Sequence, residues 1–529
     1  MTTRVSHADT LPGILANLAA SQGSKIAVID RDGETSFAQL NERASRLAVR
    51  LGQEGVVRGD RIGLLAGNSI AWLEICFGAH LAGAVVVPLS TWSTPSELDF
   101  LVEDSDIRKL FAVASFGGRD YLPDLKRAAA AGLAIALIDA ANGSGLPLLS
   151  EFISEVESSA KPDPANRAQA DDDAFVLYTS GSTSVPKGVR LKHSPLVENG
   201  FQIGERQGLT VADRVFLSAP LYWAYGASNA LPAWLTHGAT LVLQDRFEAG
   251  GALEAIERHR CTSIYTLPTM SAAMVRHPAF APSRTASLRT GLTIGSKEEF
   301  LFAVERLGVP ELCNIYGATE TYGNCAVTWH HWPLEQRATS QGTLLPGQQI
   351  RIRDSISGAI IAATEQGLIE ISGRITPGYS GQSAAQNEQT FTADGFYRTG
   401  DIGYLDEQSA IHFVGRDTEM IKRAGINVSP AEIETALVGY AGVAEAAVVG
   451  VSERERGEII VAFVVPEDVS SFQVAGLIDH LRATLSKYKI PDRIEICESL
   501  PLTPTGKLHR KQIKEQAIAI CAAAGNLAS

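Results

Sequence analysis

The sequence predicts an α/β protein with at least two domains. Segments with helical spacing alternate with short apolar runs, which are typical of strands buried on both faces of a layered sheet. The pattern changes to short strands and turns between Gly342 and Asp401, and it becomes α+β beyond Arg416. The chain has 529 residues, 45% of them hydrophobic and 20% charged, which is enough for several cores. We therefore expect one domain over residues 1–416 and a second over residues 417–529.

The elements follow in order along the chain. Leu11 to Gly55 has helical spacing, with apolar residues three or four positions apart. A further helix is predicted after Ser69. Predicted strands of two α/β sets then lie at Gly59–Ala66, Ala84–Pro88, Leu110–Val113, Leu133–Ile138, Arg214–Pro220, Ala239–Leu243 and Thr262–Leu267. Short strands at Gln349–Arg353 and Gly367–Ile371 indicate a small β-rich subdomain.

The last part of the chain predicts a mixture of helices and strands. Helices are expected at Pro430–Val438 and Phe472–Leu485. Ser429 is the predicted N-cap of the first of these, with Pro430 at the first helical position. Strands are expected at Ala444–Val451, Ile459–Val465 and Arg493–Ile496.

Composition excludes several classes of function. A formal net charge of −13 argues against a nucleic-acid partner or a membrane-surface role, since either would show a basic face. The six cysteines are scattered, without CxxC pairs or metal-ligand spacing, which suits buried thiols in a reducing cytoplasm. The first ten residues lack the apolar core of a signal peptide and no run of eighteen apolar residues follows, so we expect a soluble protein. We expect a cytoplasmic monomer or homodimer.

A loop rich in Gly, Ser and Thr follows the apolar run Ala174–Leu177. Tyr178 to Val189 reads Tyr-Thr-Ser-Gly-Ser-Thr-Ser-Val-Pro-Lys-Gly-Val. Such a loop offers backbone N–H groups, hydroxyls and one lysine to an anion, and a phosphate chain is the natural ligand. It is not a Walker A loop, because Lys187 is followed by Gly188 instead of Ser or Thr. The alternative is a flexible connection without a binding role.

Five motifs, taken in order, resemble those of the adenylate-forming superfamily, which contains acyl-CoA synthetases, adenylation domains of peptide synthetases and luciferases. They are Tyr178–Val189, Asn314–Thr321, Tyr397–Asp401, Gly425–Glu434 and Pro501–Lys507. The resemblance covers essentially the whole chain. It implies a large N-terminal domain of two α/β sheets plus a β-barrel-like subdomain, and a small mobile α+β C-terminal domain.

The resemblance assigns the ATP and Mg²⁺ site. The residues implied to hold the β- and γ-phosphates are Thr179, Ser180, Gly181, Ser182, Thr183 and Lys187. In Tyr316-Gly317-Ala318-Thr319-Glu320, Tyr316 flanks the adenine, Thr319 contacts phosphate and Glu320 holds Mg²⁺. The chemistry agrees, because Mg²⁺ usually takes one or two carboxylates together with phosphate and water. The alternative for Glu320 is an ordinary surface carboxylate.

Four further residues complete the implied machinery. Asp401 would accept two charge-assisted hydrogen bonds from the ribose hydroxyls, each worth about 1.5 to 3 kcal/mol. Arg416 is a second nucleotide contact, and Gly425 lines the path of the pantetheine arm of CoA. Lys507 would bridge the carboxylate and the α-phosphate, two anions that must approach each other. On its own, a lysine in such a loop is more often a solvated surface group.

The implied acyl pocket is formed by Tyr222, Trp223, Ala224, Tyr225 and Gly226, with Thr293 on a second wall. Gly295 and Ser296 are placed next to the adenine. The sequence Tyr-Trp-Ala-Tyr-Gly is similar to that of aryl-CoA ligases, and its small residues leave room for a ring or fused-ring acid. The alternative for Tyr222 and Trp223 is a place in the core.

Three positions depart from the family pattern. Ser184 stands where the phosphate loop usually has a second glycine, and a positive φ there would cost about 1 to 2 kcal/mol. Thr418 replaces the usual Asp or Lys of the hinge. Ala424 stands where glycine is frequent. The last two bear on the efficiency of transfer to CoA.

The resemblance implies an acid–thiol ligase that converts a carboxylic acid and Mg·ATP into acyl-AMP and pyrophosphate and then acylates CoA. The expected acid is hydrophobic: aryl, alicyclic or polycyclic. One alternative is an enzyme that stops at acyl-AMP or passes it to a carrier protein or partner ligase. Another is a nucleotide-binding protein without catalysis.

Overall fold

The helices and strands alternate along the chain and form two units in a computed structural model. The structure describes residues 6, 8–139, 144–154, 156–157, 160–179, 186–423, 426–453, 457–469, 472–485, 489–503 and 508–523. The first unit comprises Met1–Ile350, Ile371–Tyr397 and Ser409–Ile411, and the second comprises Arg351–Glu370, Arg398–Gln408 and His412–Ser529. The domain boundary expected between residues 416 and 417 stays a prediction.

The helices are α1 (Leu11–Ser21), α2 (Phe37–Gln53), α3 (Ile70–Leu81), α4 (Pro95–Asp104), α5 (Leu122–Ala130), α6 (Leu149–Ser154), α7 (His193–Gln207), α8 (Leu231–His237), α9 (Ala249–His259), α10 (Pro268–Arg276), α11 (Pro282–Thr285), α12 (Lys297–Phe302), α13 (Leu334–Thr339), α14 (Asn387–Thr390), α15 (Pro430–Val438), α16 (Val474–Thr484) and α17 (Arg510–Ala523). In the part of the chain that is described, no helix is long and apolar enough to cross a membrane.

The strands are β1 (Ile26–Asp30), β2 (Gly33–Ser36), β3 (Arg61–Leu65), β4 (Val85–Pro88), β5 (Ile107–Ala112), β6 (Ser115–Phe116), β7 (Arg119–Asp120), β8 (Ala134–Leu137), β9 (Asp173–Thr179), β10 (Lys187–Lys192), β11 (Arg214–Leu217), β12 (Thr240–Leu243), β13 (Ser263–Tyr265), β14 (Thr290–Thr293), β15 (Glu311–Tyr316), β16 (Ala326–Val327), β17 (Thr343–Leu344), β18 (Gln349–Arg353), β19 (Ile360–Ile361), β20 (Gly367–Ser372), β21 (Tyr379–Ser380), β22 (Tyr397–Leu405), β23 (Ile411–Arg416), β24 (Ile421–Arg423), β25 (Ile426–Val428), β26 (Val443–Glu453), β27 (Gly457–Pro466) and β28 (Arg493–Ile496).

The largest sheet of the first unit has nine strands in the order β17-β16-β15-β14-β13-β11-β12-β1-β2. Its central strands are parallel, and β2, β16 and β17 are antiparallel to their neighbours. The prediction of helical structure throughout Leu11 to Gly55 is wrong between residues 26 and 36, where β1 and β2 form a hairpin. The β-branched residues of β1 fill a buried place beside β12, with Val28 opposite Leu241.

The second sheet of the first unit has seven strands in the order β21-β10-β9-β4-β3-β5-β8. Strands β9, β4, β3, β5 and β8 are mutually parallel, and β10 and β21 are antiparallel additions at one edge. Helix α3 begins after Ser69, whose hydroxyl accepts a hydrogen bond from the N–H of Trp72. This confirms the helix predicted after Ser69.

The second unit contains most of a five-stranded sheet in the order β19-β18-β20-β22-β23. A separate sheet in the order β25-β24-β27-β26 has β28 parallel to β27. Helices α15 and α16 share one hydrophobic core with this sheet, and α17 shares another. Helix α15 and strand β28 have the predicted bounds. Two large α/β sheets, a small β-rich part and an α+β end confirm the predicted fold class.

Candidate active site

Strands β9 and β10 form the hairpin that carries the predicted phosphate loop. Thr179 pairs with Lys187, and Tyr178 pairs with Gly188. The predicted loop residues Ser180, Gly181, Ser182 and Thr183 lie outside the described residues, and so does Ser184. Their roles, and the strain expected at Ser184, stay predictions.

Polar contacts from distant segments hold the ends of β9 and β10 that adjoin the loop. Tyr178 donates its hydroxyl hydrogen to Oδ2 of Asp104, at the end of α4, over 2.6 Å. The other carboxylate oxygen of Asp104 accepts the N–H of Gln382 at 2.8 Å. The N–H of Gly188 donates to the hydroxyl of Ser383 at 3.3 Å. Burial and the neighbouring Asp104 carboxylate raise the pKa of Tyr178 well above its usual value, so this hydroxyl keeps its proton.

Tyr316 is the last residue of β15, and Gly317–Glu320 follow it at the carboxyl end of a parallel strand, where ligands bind in α/β proteins. A short helical turn covers Thr319–Thr321. Gly317 is needed because a Cβ there would lie 2.5 Å from the Cα of Asn324. Glu320 is only 7% exposed, which rules out the alternative that it is an ordinary surface carboxylate.

The Glu320 carboxylate is held by a tyrosine that sequence reasoning missed. Tyr379 in β21 donates its hydroxyl hydrogen to Oε1 of Glu320 over 2.7 Å. The Nζ atom of Lys187 lies 5.2 Å from the centroid of the same tyrosine ring. Burial, followed by the charge of Glu320, raises the pKa of Tyr379 well above its usual value, so the hydroxyl remains a donor. The structure thus brings together two predicted site residues, Lys187 and Glu320.

This arrangement fits a magnesium ion that arrives with a nucleotide. The carboxylate of Glu320 is a hard oxygen ligand, and Tyr379 engages one of its two oxygens. Among the described residues, no group of three or more His, Cys, Asp or Glu residues is placed to hold a metal by itself. An ion at Glu320 would therefore need phosphate or water oxygens to complete its coordination, as Mg²⁺ usually does.

The segment predicted to line the acyl pocket contains an aromatic cluster. The ring of Trp223 lies 4.8 Å from that of Trp92, at an interplanar angle of 76°. Tyr222 joins this cluster at 6.2 Å from Trp92, and its hydroxyl lies 3.1 Å from that of Thr91. Trp92 is 40% exposed and Trp223 is half-buried, so the cluster reaches the surface, whereas Tyr222 is only 5% exposed, as its alternative place in the core predicts. Trp92 is a residue that sequence reasoning missed.

The other predicted pocket residues also take part in local structure. The hydroxyl of Tyr225 donates a hydrogen bond to the carbonyl of Leu292 over 2.7 Å. The hydroxyl of Ser228 donates a hydrogen bond to the carbonyl of Ala224. Gly226 permits a close approach, since a Cβ there would lie 2.3 Å from the carbonyl oxygen of Pro220.

The predicted adenine loop lies between β14 and α12. Thr293 is the last residue of β14 and is buried, whereas Ile294 is 45% exposed. Ser296 is the N-cap of α12, and it forms a capping box with Glu299. A Cβ at Gly295 would lie 2.6 Å from a carboxylate oxygen of Glu299. Capping therefore explains Ser296 locally, and its adenine contact stays a prediction.

In the second unit, the predicted ribose ligand is paired with the predicted nucleotide arginine. Nε of Arg416 lies 2.7 Å from Oδ1 of Asp401, and Nη1 of Arg416 donates to the carbonyl of Thr399 over 3.0 Å. The N–H of Asp401 donates to the hydroxyl of Thr399, which donates in turn to the carbonyl of Ile369. Asp401 is 4% exposed. The structure therefore brings Asp401 and Arg416 together and fixes the aspartate backbone.

Three residues of the second unit keep their roles as predictions. Lys507, Gly425 and Ala424 lie outside the described residues. Thr418 lies in a short helical turn over Asp417–Glu419. Ser429 stands at the predicted N-cap position of α15, but its hydroxyl donates to the carbonyl of Val414 over 2.8 Å and makes no capping bond.

Comparison with known proteins identifies the family. The model of the AMP-binding enzyme family matches residues 15–380, and that of the AMP-binding enzyme C-terminal domain matches residues 432–507. A feruloyl-CoA synthase from an Amycolatopsis species is 32% identical over 491 residues, which cover 92% of this chain and 95% of that protein. A mitochondrial medium-chain acyl-CoA ligase from Mus musculus is 30% identical over 524 residues, which cover 93% of this chain and 84% of that protein.

A solved structure extends the likeness to three dimensions. The crystal structure of an anthranilate CoA ligase in complex with anthranoyl-AMP matches with a TM-score of 0.87 and 25% identity, covering 97% of this chain and 98% of that one. Both family models, together with relatives that match along nearly the whole chain, agree with the motifs in the sequence. The chain therefore belongs to the AMP-binding enzyme family of the adenylate-forming superfamily, and it is an AMP-forming acid–thiol ligase.

Proposed function

We propose that this ligase activates a hydrophobic carboxylic acid, of aryl, alicyclic or polycyclic type, as its acyl-adenylate and then transfers the acyl group to CoA. The observation that carries the proposal is the contact of Tyr379 with both Glu320 and Lys187. A carboxylate for a metal in the turn after β15 and a lysine for phosphate at the start of β10, both in contact with one tyrosine, suit Mg·ATP.

In the first step a carboxylate oxygen of the acid attacks the α-phosphorus of ATP, and the bond to the departing pyrophosphate breaks. The substrate is its own nucleophile, so the protein supplies positions and charge. Lys187 neutralises phosphate charge, and Thr319 donates a hydroxyl hydrogen bond to phosphate. Glu320 would hold Mg²⁺, which offsets the negative charge of the phosphates when it is bound.

The remaining predicted residues act on the nucleotide and on the reacting centre. Asp401 and Arg416 hold the ribose, and the aspartate accepts hydrogen bonds from the ribose hydroxyls. Lys507 bridges the two anions as they approach. In the second step the thiolate of CoA attacks the acyl carbon, AMP leaves, and the thiol proton is released to solvent.

The cluster of Trp92, Tyr222 and Trp223 supports an aromatic or otherwise bulky apolar acid. The rings of this cluster meet edge to face, and each such aromatic pair contributes about 0.5–1.5 kcal/mol beyond the area that it buries. Two relatives are named for aryl acids, feruloyl and anthranilate, and one for medium-chain acids. The aromatic cluster favours the aryl class over linear chains.

A screen of pyrophosphate release over aryl, alicyclic, polycyclic and fatty acids tests the substrate class. We expect aryl or fused-ring acids to give the highest kcat/KM. A response confined to short linear acids would contradict the assignment of the aromatic cluster.

Thr418 and Ala424 motivate a second candidate, an enzyme that hands the adenylate to a carrier protein or partner ligase instead of CoA. Pyrophosphate release with and without CoA, combined with mass spectrometry of the thioester, separates the two. Acyl-CoA formation at the rate of pyrophosphate release would support CoA as the acceptor, whereas adenylate without acyl-CoA would favour a carrier. We further propose a cytoplasmic location, since the scattered cysteines suit a reducing compartment.

A further inference from the structure

Tyr379 contacts two charged side chains to which we assign roles in binding Mg·ATP. Its hydroxyl contacts Glu320, and its ring contacts Lys187. We propose that Tyr379 is a positioning residue that orients the Glu320 carboxylate for Mg²⁺ and supports the ammonium group of Lys187 for phosphate. This inference rests on the proposed function, because it assumes that the metal enters with ATP.

The hydroxyl contact defines the orientation of a buried carboxylate. The bond from Tyr379 to Oε1 of Glu320 is 2.7 Å long, and Glu320 is 7% exposed. An ionised carboxylate has about four acceptor positions, of which this bond occupies one. The carboxylate therefore retains lone pairs for a cation while its rotation is restricted. Hydrogen bonds of this kind to a metal-binding carboxylate commonly set the affinity of the site.

The ring contact follows from the strand register. Tyr379 pairs with Val189 across β21 and β10, and Lys187 lies two residues before Val189 on the same strand. Side chains two residues apart point to the same face of a sheet, so Lys187 and Tyr379 share a face. The resulting distance of 5.2 Å from Nζ to the ring centroid is in the range of a cation–π contact.

Tyr379 is itself held from several sides. Its N–H donates to Oδ1 of Asn387 over 2.8 Å, and its ring lies 6.0 Å from that of Phe391. Its pairing with β10 fixes the strand. The tyrosine is thus oriented before any ligand binds, which lowers the entropic cost of ordering the carboxylate and the lysine.

Calorimetric titration of the full-length protein with ATP, without acid so that no turnover occurs, tests the carboxylate contact. The measured quantity is the ratio of the ATP dissociation constant in EDTA to that in Mg²⁺. Tyr379→Phe removes the hydroxyl and retains the ring. We expect this variant to lower the ratio about tenfold while leaving the dissociation constant in EDTA unchanged.

Tyr121→Phe is the matched control. Tyr121 is also a buried tyrosine, and its hydroxyl donates to the carbonyl of Thr91 over 2.6 Å. We expect it to leave the ratio unchanged. An unchanged ratio in Tyr379→Phe, or an equal fall in Tyr121→Phe, would overturn the positioning role.

Tyr379→Leu tests the ring contact separately. Because it removes the surface beneath Lys187, we expect weaker ATP binding in EDTA as well as a lower ratio. If Tyr379→Leu binds ATP in EDTA as tightly as the wild type, the part of the proposal that concerns Lys187 is wrong.

Glu320→Gln completes a double-mutant cycle that a merely structural effect would not reproduce. Once the carboxylate is gone, Tyr379→Phe should have no further effect on the ratio, whereas a structural effect would persist. Thermal unfolding of each variant shows whether it is folded. Pyrophosphate release by the wild type tests the proposed function independently, since the calorimetric ratio requires no turnover.

Discussion

A buried pair of histidines in the first unit predicts a loss of stability in mild acid. His80 and His193 are both fully buried, and their rings meet edge to face at 4.7 Å. The hydrogen on Nε2 of His80 is directed to the carbonyl of Ala174 over 2.9 Å. Burial lowers the pKa of His80 from 6.5 to about 4. Burial and the neighbouring His80 also lower the pKa of His193 well below its usual value.

The lowered pKa of His80 fixes the sign and size of the effect. Since one pH unit corresponds to 1.36 kcal/mol, a fall from 6.5 to about 4 is equivalent to about 3 kcal/mol of folding free energy. Between these values the unfolded chain binds more protons than the folded one. The contribution of neutral His80 to stability is therefore fully present above pH 6.5 and is lost as the pH falls towards 4.

Urea unfolding of the wild type and of His80→Gln, at about pH 7 and about pH 5, measures this contribution. Glutamine retains a hydrogen-bond donor for the carbonyl of Ala174 but cannot be charged. Over this pH interval we expect the free energy of unfolding to fall by about 2 kcal/mol more in the wild type than in the variant. His331→Gln, at an exposed position, is the control and should follow the wild type. An equal loss of stability in His80→Gln and the wild type would show that the charge state of His80 does not set this pH dependence.

Three further predictions concern the site. Asp104→Ala leaves the hydroxyl of Tyr178 without its acceptor, so the strand ends next to the predicted phosphate loop loosen. We expect KM for ATP to rise about tenfold in this variant and to rise less in Asp104→Asn, which keeps an acceptor. Asp401→Asn loses charge-assisted bonds to ribose, and ATP affinity measured by calorimetry falls about tenfold or more; unchanged affinity would remove Asp401 from the site. Trp92→Ala lowers kcat/KM about tenfold for aryl acids but not for short linear acids; an equal effect on both would contradict a packing role.

Local features of the fold were predictable from the sequence. Ser69 and Pro430 mark helix starts because capping and the fixed φ of proline depend on only a few neighbouring residues. The hairpin of β1 and β2 was not predictable in this way. Its place depends on pairing with β12, which lies far along the chain, and the amphipathic spacing of α1 and α2 on either side masked it.

The distinction between local features and contacts of distant segments also applies to the candidate site. Lys187 and Glu320 could be proposed as site residues because each lies in a contiguous motif that resembles one of the family, and their roles stay predictions. Tyr379 and Trp92 were missed, because Tyr379 reaches Glu320 only through the pairing of β21 with β10, and Trp92 reaches Trp223 only after the chain has folded. Burial also decided a question that the sequence left open, since a carboxylate at the surface and a buried one such as Glu320 look alike in a sequence.

We propose that this ligase activates its acid by adenylation and then acylates CoA. The most direct measurement is the product stoichiometry for an aryl acid that responds in the screen, incubated with ATP, Mg²⁺ and CoA and analysed by mass spectrometry. We predict AMP, pyrophosphate and acyl-CoA in equal amounts. ADP and inorganic phosphate in place of AMP and pyrophosphate would contradict it.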